Sequence, residues 1–130
     1  MNLLLDTTPF LWYITGSAVL PEQVVDAIRT PANDVALSVV SLREILLKHR
    51  LGRLDLPEEP GAYIPRQRER HQIAPLGLEE GTLTHLSKLP PHHGDPFDRL
   101  LIAQAIEHDL TIVTPDENIQ KYPVKTFWAA

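Results

Sequence analysis

Asp95-Pro96-Phe97-Asp98-Arg99-Leu100-Leu101-Ile102-Ala103-Gln104-Ala105 reads as the opening of a helix. Asp95 is a good N-cap, Pro96 suits the first turn, and Asp98 puts a carboxylate at the positive end of the helix dipole. The helix is expected to run from Pro96 to about His108, with Leu110-Thr111-Ile112-Val113 following as a strand. Thr114-Pro115-Asp116-Glu117 then signals another helix start. Helix, strand and helix in such close succession suggest a chain that alternates the two.

The rest of the chain repeats the alternation. Residues 2–5 form a short apolar run ending in Asp6, consistent with a buried strand. Thr7-Thr8-Pro9 starts a helix that stops near Gly16, and Pro21 opens another with Val24, Val25 and Ile28 on one face. Residues 35–38 read as a second strand. Ser41-Leu42-Arg43-Glu44 has the form of a capping box, with Ile45-Leu46-Leu47 continuing towards Gly52. After a connector over 54–60, helices are expected over 62–70 and 78–86, with a short strand over 72–74 between them. Residues 124–128 would be the last strand. Strands alternating with helices imply βαβ units and an α/β fold, its mainly parallel sheet covered on both faces. No internal repeat, low-complexity segment or composition boundary divides the chain, so residues 1–130 are expected to form one domain.

Composition narrows the chemistry. At 43% hydrophobic and 22% charged the chain has the make-up of a globular protein. It contains no cysteine, which rules out disulfides and thiolate metal sites. The first residues lack the basic flank of a signal peptide, and no apolar run is long enough to span a bilayer. A cytoplasmic protein without a membrane partner is expected. A net charge of −5 argues against a general nucleic-acid coat but not against an enzyme that meets nucleic acid at one site. The basic stretches Lys48-His49-Arg50 through Arg53 and Arg66-Gln67-Arg68-Glu69-Arg70-His71 read first as solvated helix faces.

The carboxylates then acquire a pattern. Asp6 closes the first strand and Asp116 lies just beyond the strand at Leu110–Val113, while Glu44 and Asp98 sit where helices begin. In parallel α/β sheets the carboxyl ends of strands and the following helix starts line the edge where ligands bind. Capping accounts for each acid taken singly. Four together are better explained by a cation, because clustered carboxylates repel one another unless protonated or bridged. Oxygen donors suit a hard divalent ion, Mg²⁺ or Mn²⁺.

Five segments occur in order: Leu3-Leu4-Leu5-Asp6-Thr7, Ser41-Leu42-Arg43-Glu44-Ile45, Arg50-Leu51-Gly52-Arg53-Leu54-Asp55-Leu56-Pro57, Asp95 to Ala105, and Val113-Thr114-Pro115-Asp116. Together they resemble PIN-domain proteins of the VapC type, the ribonuclease toxins of bacterial and archaeal toxin–antitoxin pairs. The resemblance covers nearly the whole chain, and Asp95 to Ala105 is its most specific part. It implies a three-layer α/β/α sandwich with a central parallel sheet, and an acidic site for Mg²⁺ or Mn²⁺ made of Asp6, Glu44, Asp98 and Asp116. It also implies endonucleolytic cleavage of RNA leaving a 5′-phosphate, a homodimer, and an antitoxin that blocks the acidic site. Asp95 is read mainly as the cap that orients the Asp98 helix.

Two positions depart from the usual pattern. Thr7 stands where many relatives carry Asn or His, although its hydroxyl can still donate to a carboxylate or water. Arg43 stands where an aromatic residue is common, and either repacks the surroundings of Glu44 or adds a phosphate contact.

With no cysteine nucleophile and no evident serine triad, hydrolysis would rely on the metal. Thr114 is read as either a helix cap or a support for the acids. His92 and His93 are read as solvated loop residues, with phosphate contact as the alternative, and Arg99 as a surface ion-pair partner. His49, His71, His85 and His108 are given no role. Phe10, Trp12 and Tyr13, with Leu11 and Ile14, exceed what one helix face needs, which suits either the core or an interface. The rival readings are a PIN-like binding module without catalysis and an aspartate-based phosphoryl-transfer domain. Thr8 stands where the second acid of the latter's Asp-x-Asp pattern would be.

Overall fold

Leu3, Leu4 and Leu5 are fully buried; Leu3 and Leu5 enter one hydrophobic layer and Leu4 enters the other. Burial on both faces is what a parallel sheet between two helical layers requires. Each such leucine stabilises the fold by roughly 1.5–3 kcal/mol relative to exposure. The computed structural model describes residues 1–129. This run is β1 (Asn2–Leu5), the middle strand of five.

The other strands are β2 (Asp34–Ser38), β3 (Ala74–Leu76), β4 (Thr111–Val113) and β5 (Thr126–Phe127). The sheet order is β3-β2-β1-β4-β5, and every neighbouring pair is parallel. Leu4 lies opposite Ala36 on one side and Ile112 on the other. Seven helices occur among the described residues: α1 (Thr7–Thr15), α2 (Glu22–Arg29), α3 (Val39–Arg50), α4 (Pro60–Arg70), α5 (Glu80–Ser87), α6 (Pro96–His108) and α7 (Glu117–Gln120). None is long and apolar enough to cross a membrane.

One layer packs Phe10 of α1, Val24 and Ile28 of α2, and Tyr63 and Ile64 of α4 against Leu3, Leu5, Val35 and Leu37. The opposite layer packs Leu101, Ile102 and Ala105 of α6 and Ile119 of α7 against Leu4 and Ile112. Helix α3 contributes to both, Ile45 to the first and Val40 to the second. This is the expected three-layer α/β/α arrangement, with a sheet that is wholly parallel where a mainly parallel one was expected. The chain leaves β1 for β2 and β3 on one side and returns to β4 and β5 on the other. The carboxyl ends of β1 and β4 therefore flank the topological switch point, the place where open α/β sheets bind ligands.

Two local expectations are corrected. The Ser41 capping box does not form, because α3 begins earlier: Ser38 is the N-cap and its hydroxyl accepts the Val40 N–H at 2.9 Å. Ser41 lies inside the helix and Glu44 in its second turn, not its first. The strand expected over 72–74 falls instead on Ala74–Leu76. Gln72 has φ 57°, and the Gln72 and Ile73 N–H groups donate to Glu69 and Arg68 carbonyls. That pattern is a Schellman closure of α4, so Ile73 buries its side chain while completing the helix end.

Candidate active site

Asp6 is positioned by two elements. It ends β1 and caps α1: Oδ1 accepts the Thr7 N–H at 2.9 Å, and Oδ2 accepts the Thr114 hydroxyl, also at 2.9 Å. Thr114 is fully buried just after β4, and its oxygen in turn accepts the Asp116 N–H at 3.0 Å. Of the two readings of Thr114, support for the acids holds and the helix cap does not, since Asp116 takes that place: one hydroxyl joins the edge of β4 to the acid at the end of β1. Asp116 caps α7, with Oδ1 accepting the Asn118 N–H at 2.8 Å.

Glu44 reaches the same edge from α3. Its Oε1 accepts the Thr7 hydroxyl at 2.7 Å, and its Oε2 pairs with Lys48 Nζ, also at 2.7 Å. The Thr7 oxygen also lies 2.9 Å from Ser41 Oγ. Thr7 thus makes the carboxylate contact expected of it. Arg43, one position before Glu44, is exposed and turned to solvent.

Asp98 sits in the first turn of α6. Asp95 is the cap: its Oδ1 accepts the N–H groups of Phe97 and Asp98 at 3.0 and 3.1 Å, and its side chain is exposed. The Asp98 side chain, only 13% exposed, meets His93 Nε2 through Oδ2 at 3.1 Å. The other ring nitrogen of His93 lies 2.8 Å from the Tyr122 hydroxyl, which accepts from Arg99 Nη1 at 2.9 Å. With Arg99 donating, the phenol proton is available to His93 Nδ1, and the proton of a neutral ring then sits on Nε2, facing Asp98.

These contacts overturn two expectations. Arg99 is no surface ion-pair partner: it donates to Tyr122 and to the Pro90 carbonyl. His93 is not a solvated loop residue, because it is clamped between Tyr122 and Asp98. His92, by contrast, is exposed and touches the edge of the Tyr122 ring. Tyr122 had no signal in the sequence, since its partners lie 23 and 29 residues away.

The acids feel one another. Burial raises the Asp6 carboxyl above its ordinary value; the hydrogen bonds from Thr114 and Thr7 oppose this, while Glu44 and Asp116 add to it. Burial pushes Asp98 up to about 6; the His93 contact opposes this, and Asp6, Asp95 and Asp116 reinforce it. The four sequence-predicted acids therefore meet at one edge. Their oxygens do not converge tightly: among the described residues, the group of three that brings ligand atoms within 4.8 Å is Glu79, Glu107 and His108. That group joins the start of α5 to the far end of α6, with His108 Nε2 3.1 Å from Glu107 and 3.9 Å from Glu79. It lies apart from the four acids, at the opposite end of α6 from Asp98.

Comparison with known proteins adds to this geometry. Ribonuclease VapC16 of Mycobacterium tuberculosis (strain ATCC 25618 / H37Rv) is 34% identical over 53 residues, a stretch that spans 41% of this chain and 38% of that protein. The fold is similar to VapBC2 from Rickettsia felis bound to a DNA fragment from their promoter, with TM-score 0.77 and 16% identity over 99% of this chain and 100% of that one. It is also similar to VapBC-5 from Mycobacterium tuberculosis, a member of the VapBC family of toxin–antitoxin systems, with TM-score 0.61 and 18% identity over 92% and 89%. At such identities these likenesses are of fold. The sequence profile of the PIN domain matches residues 3–125, from β1 through all the acids described above to the approach to β5, and the chain accordingly belongs to the PIN-domain family.

Proposed function

We propose that residues 1–130 form a single PIN domain acting in the cytoplasm as a metal-dependent endoribonuclease, the VapC-type toxin of a toxin–antitoxin pair. The observation that carries this reading is the placement of Asp6, Glu44, Asp98 and Asp116, drawn from four distant segments to the carboxyl edge of β1 and β4. The name of the VapC16 relative supports RNA as the substrate.

The donor set fits Mg²⁺ or Mn²⁺. It is all oxygen, Asp6 and Asp98 are held above their ordinary values mainly by burial, and the loose spacing suits an ion that keeps several waters. Asp6 and Asp98 would hold the ion most directly, and Glu44 and Asp116 directly or through water. When bound, the ion would offset phosphate charge and make water a better nucleophile.

The chain's own groups do the rest. Thr114 and the Thr7 N–H hold the two oxygens of Asp6, while Lys48 and the Thr7 hydroxyl hold Glu44. His93, backed by Tyr122 and Arg99, holds one oxygen of Asp98. Asp116 spends Oδ1 on its helix, leaving Oδ2 to orient the attacking water. That water adds to phosphorus, the P–O3′ bond breaks, and the departing oxygen takes a proton, leaving a 5′-phosphate and a 3′-hydroxyl.

An antitoxin partner is supported by the toxin–antitoxin complexes of the same fold. A homodimer would use the half-buried Leu11, Trp12, Tyr13 and Ile14 of α1, which exceed what the core covers. The decisive experiment is cleavage of a mixed RNA pool by the wild type and by Asp98→Asn, with Mg²⁺, with Mn²⁺ and with EDTA. Metal-dependent cutting lost in the variant is expected. Equal cutting by both proteins would show that the activity does not come from this site, and equal inertness with intact metal binding would favour a PIN-like binding module.

A further inference from the structure

Helices α5 and α6 pack against each other, and three ligand-type side chains converge where the start of one meets the end of the other. Glu79 is the N-cap residue of α5, while Glu107 and His108 are the last two residues of α6. One oxygen from each carboxylate and one ring nitrogen fall within 4.8 Å of one another. Capping does not account for the first of them, because the Glu79 side chain makes no hydrogen bond to its helix.

Two atoms at this junction, Glu107 Oε2 and His108 Nε2, are buried and meet no hydrogen-bond partner among the described residues. The nitrogen lies 3.1 Å from Glu107 Oε1 and 3.9 Å from Glu79 Oε1. The nearer oxygen stands off the line along which the ring would donate, and the farther one is out of range. Buried polar groups left this way are costly unless something else engages them. The separations suit a bridging ion, since ligand atoms about 2.0–2.1 Å from one tetrahedral centre stand about 3.3 Å apart. Glu107 is also braced. Its Oε1 accepts the hydroxyl of the fully buried Thr82 at 3.1 Å, the kind of support that ligating carboxylates receive in metal sites. Gly81 leaves room for the other oxygen: a Cβ there would stand 2.5 Å from Glu107 Oε2.

We propose that Glu79, Glu107 and His108 bind a Zn²⁺-class ion that staples the start of α5 to the end of α6, with water completing the coordination. One imidazole with two carboxylates suits Zn²⁺ better than Mg²⁺, which favours oxygen donors alone. Mn²⁺ stands at the weak end of the affinity order for such sites, so this ion is distinct from the one held by the four acids. The exposed Glu79 gives the ion its way in from solvent. Helix α6 carries Asp98 in its first turn, so a staple at its last turn fixes the far end of the same helix. Zn²⁺ binding here does not depend on whether the chain cleaves RNA.

The test uses the full chain carrying Asp98→Asn, which removes an acid from the proposed Mg²⁺ site. Stripped of metal, it is titrated with Zn²⁺ by calorimetry. One ion per chain should bind, Tm should rise on saturation, and Mn²⁺ should bind at least about tenfold more weakly. Glu79→Ala removes an exposed ligand and should weaken Zn²⁺ binding at least about tenfold. Gly81→Ala puts a better helix former into α5 while pushing the Glu107 carboxylate aside. It should weaken Zn²⁺ binding about 10- to 100-fold without lowering the metal-free Tm. Unchanged Zn²⁺ affinity in Glu79→Ala and Gly81→Ala would place the ion on other side chains and overturn the proposal. Failure of the Asp98→Asn chain to bind Zn²⁺ at all would overturn it too, and would leave the ribonuclease reading untouched.

Discussion

Asp98 and Asp95 lie three residues apart and have different work. Asp95 spends its carboxylate on two backbone N–H groups, whereas Asp98 turns inward to His93 and the other acids. In metal-free protein this difference becomes measurable with pH. Mainly because of burial, Asp98 is pushed from an ordinary 3.8 up to about 6. Between those values the folded state binds more protons than the unfolded one, so the group's stabilising contribution is full below 3.8 and is lost as pH rises through about 6. Asp6 is raised as well and acts in the same direction. Wild-type Tm in EDTA should therefore fall between about pH 4 and about pH 6, and Asp98→Asn, with no charge to bury, should fall less. Parallel Tm curves for the two proteins would contradict this. A second test concerns Tyr122, which links Arg99 to His93. Tyr122→Phe removes one hydroxyl from that chain and should weaken Mn²⁺ binding about tenfold at most, because Tyr122 acts through His93 and not on the ligand Asp98 itself. Calorimetric titration reads it, and unchanged affinity would mean that His93 does not need its backing.

At the level of elements, helix ends position the site. Asp6, Asp95 and Asp116 each cap a helix, and Ser38 caps α3, which carries Glu44. Asp95→Ala should cost about 1 kcal/mol, the ordinary value of a lost cap, and reduce cleavage without abolishing it. Asp98→Asn should do the reverse, abolishing cleavage at little cost to the fold. Urea unfolding alongside activity separates the two, and a variant pair that lost both properties equally would defeat the division of labour. Ser38 carries more than a cap. Its hydroxyl donates to Gln104, fully buried on α6, whose amide donates to the Gly77 carbonyl. Ser38→Ala leaves a buried amide oxygen unpartnered in addition to losing the cap, so a loss of about 2–4 kcal/mol is expected, more than for Asp95→Ala.

Across the whole molecule, the strand order sets where acids can gather. β1 lies between β2 and β4, so the chain's two crossovers diverge at its carboxyl end and leave Asp6 and Thr114 facing each other across the gap. A cation bound there would stabilise the folded state by an amount that grows with the logarithm of its concentration above the dissociation constant. At about one hundred times its dissociation constant the gain is about 2.7 kcal/mol. Mn²⁺ should accordingly raise wild-type Tm by several degrees over EDTA and leave Asp98→Asn almost unmoved. An equal rise in both would locate the ion elsewhere, with Glu79, Glu107 and His108 as the alternative.

What the sequence determined by itself was short in range. Three consecutive leucines before Asp6, the Asp95-Pro96 helix start and the apolar run at Ile112-Val113 report neighbours along the chain, and from them the alternation of strand and helix, the buried parallel sheet and the edge holding the acids were legible. Where local signals competed, the reading slipped: Ser41 has the chemistry of a cap, but Ser38 already ends a strand and takes that place, and Ile73 closes a helix instead of opening a strand. What only tertiary structure decided was which side chains meet. Thr7 reaches Glu44 across 37 positions and Thr114 reaches Asp6 across 108, while Tyr122 and His93 join only because α6 and the segment after α7 pack on the same face of the sheet. Propensity and capping depend on residues a few positions apart, whereas those contacts exist only after both helical layers have closed on the sheet and excluded water from the groups they bury.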